Sequence, residues 1–321
     1  MKFKPIIFVA GEPNSIFSEI FLKTIKKNKF KSPIILICSK KLLLKQAKHL
    51  NQEIKFNEIN LNINLLKNYK YKKLNIINID YDQSNAFEKI SSKSNNYIKK
   101  CFDVGLKMMK LGISDKFING PISKKNFLKS KYNGITEYLA HKTNTRKFAM
   151  IIYNKELSVC PITTHLPIKF VSKKINKSEI INKINLISKF WKNKFNIKVK
   201  IGVTGLNPHC ESTDKYNEDQ KITIPTINYL KKKNYNIYGP YAADTIFLVK
   251  NRKKFNVIIG MYHDQVLTPM KTLFEYDAIN ITMGLPFLRV SPDHGPNEKM
   301  FGKNKSNPDS LINSLNFLDN K

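Results

Sequence analysis

Three histidines share one setting in this sequence. His165 lies in "CPITTHLP", His209 in "GVTGLNPHCES" and His263 in "GMYHDQ", and each comes just after an apolar, β-type run. In layered α/β proteins ligands sit outside the carboxyl ends of the strands, so residues far apart in sequence can converge there. Neutral imidazole is the commonest protein ligand for zinc and similar ions. Three protein ligands with one position left open is the catalytic arrangement, because the substrate completes the shell. A single histidine in such a place is more often a hydrogen-bonded structural residue. The chain has only six histidines, and three follow the same pattern. Cys210, beside His209, reads as a small buried thiol rather than a ligand.

A second constellation is cationic. Lys271, Asn280 and Arg289 recur at nine-residue intervals through "KTLFEYDAINITMGLPFLR". Taken singly, they read as a solvated lysine and an arginine with a structural partner. Together, shortly after His263, they could clamp a phosphate or carboxylate, with the arginine as a bidentate fork. The turn "NGPISKKN" offers Gly120 and Lys124 to an anion such as a cofactor phosphate. No GxGxxG and no GxxxxGK[ST] occurs, so neither ordinary nucleotide fingerprint applies.

The elements that must position these groups alternate between strand and helix. "KPIIFVA" (Lys4 to Ala10) and "SPIILIC" (Ser32 to Cys38) are continuous in apolar residues, as buried parallel strands are. Helical spacing runs through "SIFSEIFLKTIKK" between them. Ile98, Phe102, Leu106 and Met109 mark one face of a long helix ending near Gly112. "FAMIIYN" and "LSVCPITTH" read as two strands separated by Lys155 and Glu156. Ile180, Ile184, Ile187 and Trp191 predict a helix, with Asn176 and Glu179 as its capping box. "VKIGVTGL" and "FNVIIGMY" are further strands, and "SLINSLNFL" is a closing helix. Such alternation predicts an α/β fold with a mainly parallel sheet.

At 321 residues the chain suits two domains. The expected division is 1–125 plus 285–321 as the first, nucleotide-side domain, and 126–284 as the second, carrying metal, substrate contacts and dimer surface. Hydrophobic content of 41% with 11% aromatics excludes a disordered chain. No apolar run reaches the roughly 18 residues of a membrane helix, and the opening segment reads as strand and turn rather than signal peptide. Four widely spaced cysteines without a CxxC pair fit reduced thiols, so a cytoplasmic location is expected. Lys and Arg number 56 against 24 acidic residues, a formal charge of +32. Nucleic-acid binding is one reading of that excess. The lysines are spread through every segment, however, whereas such binders cluster theirs; no nucleic-acid partner is expected.

Several motifs together resemble one family. "TTHLP", "GLNPH", "AADTIF", "YHDQ", "NITMGLPFLR" and "DHG" occur in the order and spacing of the 4-hydroxythreonine-4-phosphate dehydrogenases of vitamin B6 synthesis. The resemblance implies two α/β/α layered domains with a cleft between them, similar to isocitrate and isopropylmalate dehydrogenases. It implies NAD or NADP bound without the Rossmann glycines, and a homodimer in which the partner contributes one metal ligand. His165, His209 and His263 become ligands of a divalent ion such as Zn, Mg or Co. Thr136, Lys271, Asn280 and Arg289 become contacts to a small phosphorylated substrate. Asp244 in "AADTIF" and Lys271 become catalytic candidates. The implied reaction is oxidation and decarboxylation of 4-phosphooxy-L-threonine to 3-amino-2-oxopropyl phosphate. A sibling activity on 4-phospho-D-threonate or 4-phospho-D-erythronate is the alternative, and a metal-dependent phosphatase a more remote one. The sequence departs from the family at Ile135, where a histidine is usual, and at Ser15, Phe17 and Val266, where glycines are usual.

Overall fold

The computed structural model describes residues 3–59, 72–128, 131–212 and 216–319. The chain divides into two compact units, Met1–Thr143 with Leu285–Lys321, and Asn144–Gly284. Apolar runs without polar alternation form strands covered on both faces, and the first strand, β1 (Ile6–Val9), is wholly buried. In chain order there follow α1 (Phe17–Lys27), β2 (Ile34–Cys38), α2 (Lys40–His49), β3 (Asn57–Glu58), β4 (Leu74–Asn78), α3 (Asn95–Lys110), β5 (Lys116–Asn119) and α4 (Ile135–Lys142). The stripe expected on α3 is present, with Ile98, Phe102 and Met109 buried.

The second unit begins with β6 (Ala149–Tyr153) and β7 (Ser158–Thr163), an antiparallel pair. A short α5 (Val171–Lys174) precedes α6 (Lys177–Phe195), which buries Ile180, Ile184, Ile187 and Trp191. Asn176 caps α6, its Oδ1 accepting from the Glu179 amide at 3.0 Å. Next come β8 (Ile201–Thr204), α7 (Ile224–Lys232), β9 (Ile237–Tyr241), α8 (Val249–Arg252), β10 (Val257–Tyr262), α9 (His263–Phe274) and β11 (Ile279–Met283). The chain then returns to the first unit with β12 (Leu288–Pro292) and α10 (Asp309–Asp319).

In the first unit the strand order is β3-β4-β2-β1-β5-β12 and every pairing is parallel. Its core gathers Ile7, Ile35, Phe102, Phe117 and Leu139, among others. In the second unit the order is β11-β6-β7-β10-β8-β9. There β6 runs antiparallel to both neighbours and the remaining pairs are parallel. Its core includes Ile152, Val159, Ile258, Val266 and Met270. Among the described residues no helix is long and apolar enough to cross a membrane.

Candidate active site

The carboxyl ends of β7, β10 and β8 lie side by side, with Thr163 opposite Tyr262 and Val203 opposite Ile259. Each of these three neighbouring strands leads into one of the sequence-predicted histidines. His165 follows two residues after β7, His209 lies five residues past β8, and His263 is the first residue of α9. The rings of His165 and His263 stand 5.5 Å apart, centroid to centroid, tilted by 38°. Two imidazoles each binding one tetrahedral ion at about 2 Å would have centroids roughly 5 Å apart, so this pair fits a shared divalent ion. Among the described residues no group of three His, Cys, Asp or Glu is gathered to hold a metal. One chain thus pairs two of the three histidines.

The segment "HDQ" has a distinct job for each side chain. His263 Nδ1 is 2.6 Å from Asp264 Oδ1, which makes Nδ1 the protonated nitrogen and leaves Nε2 with its lone pair. Gln265 ties the start of α9 to the end of β8. Its Oε1 accepts from the Met261 amide at 2.7 Å and from Thr204 Oγ1 at 2.8 Å. Its Nε2 donates to the Gly205 carbonyl at 2.8 Å. Thr163 Oγ1 donates to the Met261 carbonyl at 2.8 Å and secures β7 to β10. The predicted polar strand end is therefore a strand-to-helix junction, with β10 stopping at Tyr262.

Two of the histidines have left-handed backbones, φ +42° at His165 and +54° at His209. Such conformations cost energy for residues other than glycine and cluster at functional sites. Cys210 also has positive φ and is half-buried rather than buried as its sequence setting suggested. Burial, reinforced by the charges of Asp219, Asp244 and Glu211 and opposed by a hydrogen bond from the Gly205 backbone, raises its thiol pKa. Asp244, exposed after β9, thus lies within electrostatic reach of the His209 loop.

The other predicted site residues occupy separate elements. Lys271 is half-buried in the last turn of α9. Asn280 sits on β11 with its Oδ1 buried and lacking a hydrogen-bond partner. Thr136 is buried in the first turn of α4. Arg289, on β12, is 1% exposed, and its Nε donates to Asn119 Oδ1 at 3.0 Å. Burial lowers its guanidinium to about 9, against the pull of Glu137, so it stays cationic at neutral pH. Gly120 owes its identity to packing, since a Cβ there would meet the Ala10 carbonyl oxygen at 2.1 Å. Lys124 is exposed in the following helical turn, Lys124–Leu128.

The departures from the family pattern are packing residues here. Ile135 is half-buried against the cluster containing Phe102 and Tyr138. Phe17 is buried, edge-on to Phe8 and stacked on Phe21. Ser15 Oγ accepts from the Phe17 amide at 3.2 Å and donates to the Glu12 carbonyl at 2.7 Å. Val266 is fully buried; a Cβ on Gly260 would come within 2.3 Å of its Cγ1.

The model of the family described as "Pyridoxal phosphate biosynthetic protein PdxA" matches residues 29–318. The chain is 36% identical over 311 residues to 4-hydroxythreonine-4-phosphate dehydrogenase of Sulfurihydrogenibium sp., covering 95% of this chain and 94% of that protein. It is 27% identical over 322 residues to D-threonate 4-phosphate dehydrogenase of Salmonella typhimurium, covering 98% of each. Among solved structures, 4-hydroxythreonine-4-phosphate dehydrogenase from Klebsiella pneumoniae is similar with TM-score 0.82 at 25% identity, over 98% of both chains. The chain therefore belongs to the PdxA family of pyridoxal phosphate biosynthetic proteins, and the relatives it resembles are dehydrogenases.

Proposed function

We propose that this chain oxidises 4-phosphooxy-L-threonine with NAD or NADP and releases carbon dioxide, leaving 3-amino-2-oxopropyl phosphate for vitamin B6 synthesis. Family membership and the name of the 36%-identical relative support the substrate. The observation that carries the chemistry is the His165–His263 pair at adjacent parallel strand ends.

In this reading a bound divalent ion (Zn, Mg or Co) would supply Lewis acidity and a bound nicotinamide a hydride acceptor. His165, His209 and His263 would hold the ion, one of them contributed by a second copy of the chain in a homodimer. Asp264 fixes the His263 tautomer so that Nε2 is the donor. Asn280 Oδ1, buried and without a partner, accepts a hydrogen bond from the substrate. Arg289, oriented through Nε by Asn119, binds an anionic group of the substrate. Lys271 supplies a second cation, and Thr136 a hydroxyl. Asp244, near the His209 loop, relays the departing proton. Gly120 and Lys124 mark the turn assigned to the coenzyme. The enzyme is taken to work in the cytoplasm, without nucleic-acid or membrane partners.

One observation favours a second reading, oxidation of 4-phospho-D-threonate or 4-phospho-D-erythronate. Ile135 packs among apolar side chains where the family usually has a histidine, so it offers the substrate no hydrogen bond. NADH or NADPH absorbance, followed with each phosphorylated acid and each of the three ions, tests both readings. Reduction with 4-phosphooxy-L-threonine is expected. Turnover of phosphothreonate or phosphoerythronate alone moves the assignment to the sibling activity, and no reduction with any acid removes both.

A further inference from the structure

The loop that carries His209 is held by a carboxylate outside the proposed ligand set. Asp219 is 0% exposed and opens the helical turn Asp219–Thr223 leading into α7. Its Oδ1 accepts from the Leu206 amide at 2.9 Å, and its Oδ2 from the Asn207 amide at 2.9 Å and the Leu206 amide at 3.1 Å. The Asn207 side-chain Nδ2 donates to the same Oδ2 at 3.2 Å and to Glu218 Oε2 at 3.1 Å. A buried carboxylate is costly unless its lone pairs are satisfied, and here they are satisfied by the backbone that precedes His209.

From that anchor the chain has little freedom. Gly205 donates its amide to the Tyr241 carbonyl at 2.9 Å, and the Cys210 amide donates to the Asn207 carbonyl at 3.0 Å. A Cβ at Gly205 would lie 2.7 Å from Cys210 Sγ and 3.1 Å from Asp219 Oδ2, so the loop is folded tightly onto the carboxylate. His209 then has the left-handed φ of +54°.

We propose that Asp219 is a positioning residue for His209: it fixes Leu206 and Asn207 so that the imidazole is presented for ligation from a preset backbone. This rests on the reading of His209 as a metal ligand. Carboxylates behind first ligands typically govern metal affinity in this indirect way. Asparagine at this position keeps the shape but replaces one acceptor oxygen with an amino group facing N–H donors.

Calorimetric titration of Zn²⁺ into the full-length, metal-free protein tests the proposal. Asp219→Asn is expected to weaken Zn²⁺ binding roughly 10–100-fold, with the far-ultraviolet circular dichroism of the parent. In a His209→Ala background the same substitution should weaken binding no further, a non-additivity that a general loss of packing does not produce. Unchanged affinity in Asp219→Asn, or an equal additional loss without His209, would overturn the proposal. If Asp219→Asn does not fold, Asn207→Ala carries the test. It removes only the side-chain tie, and a few-fold loss that vanishes in His209→Ala is expected; full affinity refutes it. A parent protein that takes up no Zn²⁺ removes the metal reading itself, an outcome distinguished because it needs no variant.

Discussion

Replacing Glu12 by glutamine should make the protein less sensitive to rising pH. Glu12 follows β1, and its side chain is 0% exposed. It has two long hydrogen bonds, from the Asn14 amide to Oε1 at 3.4 Å and from Ser94 Oγ to Oε2 at 3.3 Å. Burial raises its pKa from 4.5 to about 7; the two hydrogen bonds oppose the rise and the charge of Glu298 adds to it. Between those two values the folded chain keeps a proton that the unfolded chain has lost. Stability is therefore full below about 4.5, falls as pH rises toward about 7, and levels off above. At about 1.4 kcal/mol for each tenfold change in proton affinity, the loss amounts to roughly 3 kcal/mol. Glutamine keeps the shape and cannot ionise. Urea unfolding of parent and Glu12→Gln from pH 4 to pH 8 should give a stability difference that grows in the variant's favour by about 3 kcal/mol. A difference that is constant with pH, or grows toward acid, refutes the reasoning.

Val266→Gly, which installs the residue usual in the family, should cost roughly 3 kcal/mol in urea unfolding, from the lost burial of a fully enclosed side chain and a glycine within α9. Gln265→Ala removes the two bonds that tie the β10–α9 junction to the end of β8 and the one from the Met261 amide of β10, and should cost about 1–3 kcal/mol and weaken Zn²⁺ binding in calorimetry. Ile135→His should shift the ratio of kcat/KM toward 4-phosphooxy-L-threonine over 4-phospho-D-threonate by about 1–3 kcal/mol; an unchanged ratio removes position 135 from substrate selection.

Where local pattern decides structure, the sequence was readable. The apolar runs of β1, β2, β7 and β10 and the stripes of α3 and α6 fall where their periodicity places them, and Asn176 caps α6 as its spacing with Glu179 predicts. The helix opening at His263 was not readable, because Pro269 interrupts the pattern from within. Nor were β9, with Gly239 and Pro240 inside it, and the two-residue β3. The three histidines could be singled out by their common strand-end setting. That β7, β10 and β8 are neighbours is a long-range fact with no local signal. The same holds for Asp219, which acts on Leu206 and Asn207 from a different turn. Ile135, Phe17 and Val266 could be recognised as departures from a family pattern, but what they pack against, the core cluster of the first unit, Phe8 and Gly260, comes from other segments or elements.

The most direct test of the account is anomalous diffraction from crystals soaked in Zn²⁺. One strong peak beside the β7 and β10 strand ends, with ring nitrogens of His165 and His263 at about 2.0–2.1 Å from it, is predicted. A peak elsewhere with both imidazoles unligated, in protein that still reduces NAD with its substrate, would contradict it.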